Sequence, residues 1–101
     1  MANARSKHYH LEYRDFYGDY KDVTDNNGKT KVFIGIEKAR KGAVKFFNEH
    51  WGYEVVAIFG GRRVNPVAGV VKKTKTGLKW HDYYHDNKVY NLNNDGTIRK
   101  E

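Results

Sequence analysis

The sequence predicts an α+β fold in which an antiparallel sheet, with element order β-β-α-β-β-β-β, carries one helix packed on one face. Three observations predict it. Only one segment shows a helical apolar period, at Ile36, Ala39, Ala43, Phe46, Phe47 and His50. The other apolar segments alternate or are rich in β-branched and aromatic residues. The links after the helix are short, and short links join antiparallel neighbours rather than parallel ones.

Each element has a local reason. In residues 8–17, Tyr9, Leu11 and Tyr13 alternate with His10, Glu12 and Arg14, which describes a half-buried strand. A polar segment over 19–31 contains Asn27-Gly28, a tight-turn dipeptide, and residues 31–36 read as the returning strand of a long hairpin. The helix is expected over residues 38–50, without a Ser, Thr, Asp or Asn cap and with Gly52 as its C-terminal stop. Gly42 inside it costs about 1 kcal/mol relative to alanine, which close approach of helix and sheet would justify. Residues 53–59 read as a central strand, with Phe46, Phe47, Val55, Ala57 and Phe59, or their alternates, as core. Strands follow over 67–74 and 78–84 around the turn Lys75-Thr76-Gly77, with Trp80 or Tyr83 facing the helix. Residues 88–92 and 97–99 flank Asn93-Asn94-Asp95-Gly96, a hairpin signal.

The 101 residues suit a single domain over 8–101 behind a short arm at 1–7. Fifteen aromatic residues supply enough apolar area for a core at this length. Cysteine is absent, which favours a reducing compartment. The first seven residues are polar and no apolar run approaches membrane-spanning length, so neither a signal peptide nor a membrane span is expected. The expected location is cytoplasmic.

Charge is unevenly placed. Residues 1–37 hold six basic and six acidic groups, whereas residues 38–79 hold ten basic groups against Glu49 and Glu54. A concentrated excess points to a surface for an anionic partner. Three groups of residues supply it. Lys38, Lys41 and Lys45 share one flank of the helix, with Arg40 nearby. Arg62 and Arg63 follow two glycines, combining guanidinium forks with exposed backbone N–H groups suited to phosphate oxygens. Lys72, Lys73, Lys75 and Lys79 form a basic hairpin that runs into Trp80, His81, Tyr83 and Tyr84, the mixture of cations and rings used to hold single-stranded nucleic acid. Each has an ordinary structural explanation as well: a solvated helix face, a glycine turn, and lysines that guard an edge strand.

Other chemistries find little support in the residues. The Gly60–Arg63 segment lacks the spacing and following helix of a phosphate-binding loop. His8 and His10 lie on one face of a strand and His81 and His85 are four apart, but no cysteine accompanies them and the second pair straddles a strand end rather than a helix, so no metal and no cofactor is expected. Asp19, Asp22 and Asp25 fail the calcium-loop pattern. The only serine is Ser6, and nothing singles out Glu12 or Glu54 for acid–base work, so no catalytic residue is expected.

The leading expectation is a non-enzymatic nucleic-acid-binding module acting through the basic surface of residues 38–79, with DNA and RNA not distinguished. The rival is a protein-binding inhibitor or accessory factor of a mobile element, of phage or plasmid type, docking an acidic partner surface with its basic and aromatic side chains. A third class is a binder of a small phosphorylated ligand at the Gly60–Arg63 segment.

Overall fold

Three four-residue turns share one sequence pattern, an Asp or Asn followed three residues later by Gly, and they set much of the chain path. At residues 15–18, 25–28 and 93–96 the glycine N–H donates to the carbonyl of the first residue (3.1, 3.0 and 3.0 Å). Each glycine has φ between +81° and +90°, a conformation that costs other residues strain. The Asp15 and Asp25 carboxylates each accept two further backbone N–H groups across their turns.

The computed structural model describes residues 8–60, 67–83 and 86–100. The elements are β1 (His8–Arg14), β2 (Tyr20–Asp22), β3 (Phe33–Ile34), α1 (Ile36–Glu49), β4 (Val55–Gly60), β5 (Val67–Thr74), β6 (Gly77–Asp82) and β7 (Val89–Leu92). All pairings are antiparallel, in the order β2-β1-β4-β5-β6-β7, with β3 also on β1. The α+β class and the single helix on the sheet are as the sequence predicts.

The N-terminal hairpin differs from the expected one. The chain reverses at residues 15–18, so β2 pairs with Glu12, Tyr13 and Arg14 while β3 pairs with His8 and Tyr9. The two are halves of one edge strand, interrupted by a small hairpin closed by the Thr24–Thr30 bridge. The Asn27-Gly28 turn is present, but it closes this insertion rather than the main hairpin. At the other end of the chain, the expected strand over 97–99 is reduced to a single bridge between Leu92 and Ile98. The arm expected at 1–7 lies outside the described residues.

The helix runs one or two residues earlier than expected and starts on Gly35 without a side-chain cap. Its buried side is Ala39, Arg40, Ala43, Val44, Phe46 and Phe47. An alanine Cβ at Gly42 would lie 2.5 Å from the Phe33 ring, so the glycine marks where helix and edge strand meet closely. The core between helix and sheet is built on Leu11, Val56, Ile58, Val71, Trp80 and Leu92, all 1% exposed or less. On β4 the fully buried residues are therefore Val56 and Ile58. Ala57 is also covered, but Val55 and Phe59 are only half-buried, because the register turns their side of the strand away from the helix. Trp80 is the ring that faces the helix, its indole lying against Gly69, whereas Tyr83 stays exposed.

Candidate nucleic-acid interface

Strand alternation sorts the side chains onto two faces. Tyr13 points to the helix and stacks on Phe46 (4.9 Å), so Arg14 points away. Val71 and Trp80 are core residues facing each other, so their neighbours Lys72 and Lys79 emerge together on the open face, directly paired across β5 and β6. Tyr20 pairs with Arg14 and shares that face. The row Tyr20, Arg14, Val55, Lys72, Lys79, Asn91 thus crosses six strands, about 24 Å at ordinary strand spacing. Tyr83 turns back over the sheet, edge-on to His81 (4.6 Å), and borders a shallow groove with Arg14, Tyr20, Val55, Val70 and Lys72. Glu54, Lys73 and Thr74 complete its lining.

The open face is locally unbalanced in charge. Like charges directly opposite each other in a sheet are destabilising, and Lys72 faces Lys79 with no carboxylate of the described residues within 4.0 Å of either. Lys79 donates instead to the Asn91 side-chain oxygen. Further along the same face the sign reverses. Glu12 and Asp22 are also a direct cross-strand pair, but His10 stands between them, 3.0 Å from Glu12 and 3.9 Å from Asp22, its ring stacked on Phe59. These three bring ligand-type atoms within 4.8 Å of one another, and Thr30 donates to Asp22 (2.9 Å). The grouping is a polar cluster made by strand register, with a hydrogen bond between His10 and Glu12. It differs from the His8–His10 pairing that sequence spacing offers.

The other expected site residues are dispersed. Lys38, Lys41 and Lys45 are exposed on the outer side of α1, with the helix and the sheet between them and Lys72 and Lys79. Acidic groups accompany them. Lys41 faces the 93–96 turn, where Gly96 packs against its backbone. The hydroxyl and backbone N–H of Thr97, together with Lys41, hold the Asp95 carboxyl below its ordinary range. Lys45 borders a cleft beside the inserted hairpin that also contains Asp22, Lys31 and Glu49. Lys73 alternates to the side of Leu78, and Lys75 sits in the exposed turn that Thr74 closes by donating to the Gly77 carbonyl (2.8 Å). Arg62, Arg63, Tyr84 and His85 lie outside the described residues.

Arg40, expected beside the helix lysines, is buried instead. Its guanidinium lies 5.5 Å from the Trp80 ring centre, and burial lowers its pKa against the opposing pull of Glu37 and Asp82. Helical period alone misplaces it, because a long apolar stem lets arginine occupy a core-facing position.

Two features were not anticipated from the sequence. One is the position of Tyr20 and Arg14 beside Lys72, which depends on the turn at residues 15–18. The repeated Asp-x-x-Gly spacing was the available signal. The other is an aromatic end, where Phe16 stacks on Tyr53 (4.7 Å) and packs against Gly52, while Tyr17 and Trp51 are 92% and 90% exposed. Among the described residues no helix is long and apolar enough to cross a membrane. Comparison with protein-family models, with curated proteins and with solved structures returned no match for this chain.

Proposed function

We propose that the chain is a small, basic, non-enzymatic nucleic-acid-binding module whose principal contact is the open face of the sheet. The observation that carries this reading is the direct pairing of Lys72 with Lys79, with no carboxylate of the described residues within 4.0 Å of either. A phosphate lying between them relieves their repulsion and releases counterions, which makes binding steeply salt-dependent. Arg14 extends the cationic row, and Arg62 and Arg63 add guanidinium forks by residue type.

The test compares three charge-reversed pairs in salt-titrated fluorescence anisotropy with labelled oligonucleotides. Lys72→Glu with Lys79→Glu, and Arg62→Glu with Arg63→Glu, should each weaken binding and reduce its salt dependence. Lys21→Glu with Lys29→Glu should do much less, since Lys21 already pairs with Asp15 (3.3 Å). Equal losses from all three pairs, or no binding at about 150 mM salt, would count against a located site.

A second reading, a protein-binding inhibitor or accessory factor, draws on the aromatic end at Phe16, Tyr17 and Trp51. Exposed rings of this kind commonly anchor protein partners. Nuclease treatment separates the two readings. A partner that survives nuclease and is lost on Tyr17→Ala with Trp51→Ala favours the protein-binding reading.

A further inference from the structure

Resting on the nucleic-acid reading, we infer that the open face takes single-stranded rather than duplex nucleic acid, with bases against Tyr20 and Tyr83 and phosphates on Arg14, Lys72 and Lys79. Three features of the groove carry this. Its two borders are tyrosines from β2 and from the segment after β6, 48% and 45% exposed, so each is held at its base yet offers ring surface to a ligand. Its floor includes Val55 and Val70, which would gain nothing from a duplex backbone but are suited to the face or edge of an unpaired base. Of the cations that line it, Arg14 and Lys72 belong to one cross-strand row, which Lys79 continues beyond the groove as a track for a single backbone. Duplex bases are stacked on one another and cannot reach rings set on a sheet, so a duplex would engage only the lysines and the arginine. Sugar identity is not discriminated by these groups, which leaves DNA and RNA as two sources of one chemistry.

The experiment measures anisotropy at about 150 mM salt with a mixed-sequence 15-nucleotide strand as DNA, as RNA and as the DNA duplex. Either single strand should bind at least about tenfold more tightly than the duplex. Tyr20→Leu and Tyr83→Leu, which keep apolar bulk and remove the ring, should each weaken single-strand binding about tenfold and leave duplex binding unchanged. Tyr→Phe at either position should restore it. Lys72→Gln should weaken both ligands, and lower the single-strand salt slope by about 0.7. Duplex binding equal to or tighter than single-strand binding, or leucine variants that bind as the parent does, overturns the single-strand inference while the nucleic-acid reading stands. Absence of binding to all three ligands overturns both.

Discussion

The two faces of the sheet are built from alternate residues of the same strands, yet their chemistry is opposite. On the helix side, Leu11, Ile58, Val71 and Trp80 form a closed core. On the open side, one residue along in each strand, stand Glu12, Lys72 and Lys79, with Arg14 and Tyr20 beyond them. The core face buries its apolar area. The open face keeps a like-charge pair in direct register and two half-exposed tyrosines, features that cost stability or leave apolar area wet. Under the proposed function, a bound strand would relieve the first and cover the second.

The sharpest way to break this contrast is to substitute adjacent positions of β6. Trp80→Ala should cost about 3–5 kcal/mol in urea denaturation, whereas Lys79→Ala should stay within about 0.5 kcal/mol. Similar costs at both positions would mean that the open face is structural.

Gly42 tests how tightly the helix side is packed. Gly42→Ala should destabilise by about 1–2 kcal/mol, because its Cβ meets the Phe33 ring, despite alanine's better helix propensity. In a Phe33→Ala background the same change should instead stabilise, by up to about 1 kcal/mol. A stabilising effect in both backgrounds would show that the ring moves aside without cost.

On the open face the sign should invert. Lys72→Gln removes the cross-strand repulsion, so stability should rise by about 0.2–1 kcal/mol while oligonucleotide affinity falls. Loss of both together would make Lys72 a structural residue.

The smallest effect concerns pH. Burial raises the Asp15 carboxyl, but the N–H groups of Asp19 and Tyr17 and the Lys21 ammonium outweigh it and hold it below its ordinary value. A depressed carboxylate stabilises the fold above its unfolded pKa, and that contribution is lost as pH falls through the folded value. Asp15→Asn should therefore flatten the acid side of a Tm-against-pH curve, and an unchanged slope would remove Asp15 from the account. The His10–Glu12–Asp22 cluster is expected to act as a hydrogen-bonded polar group, so elemental analysis of untagged protein should find no stoichiometric transition metal. One zinc per chain would reassign it.

Much of the fold was legible locally. The helix, the Lys75-Thr76-Gly77 turn and the strand over 67–74 lie where period and turn chemistry place them, since both signals are short-range. The site was less legible. Lys72 and Lys79 could be named as cations, but their direct opposition follows from the β5–β6 register, and the approach of Tyr20 and Arg14 follows from pairing through β1 and β4.

By itself, then, the sequence determined the α+β class, the single helix, the turns at residues 27–28, 75–77 and 93–96, and the location of the positive charge along the chain. Tertiary structure decided which side of each strand is interior. In residues 53–59 both alternating sets are largely apolar, so periodicity could not choose between Val56 with Ile58 and Val55 with Ala57 and Phe59. It also decided that Arg40 is buried against Trp80, that the helix lysines and Lys72 and Lys79 lie on opposite sides, and that His10 joins Glu12 and Asp22. The physical reason is common to all of these. Propensity and period act over a few neighbouring residues, whereas register and packing are set by contacts between segments far apart in the chain.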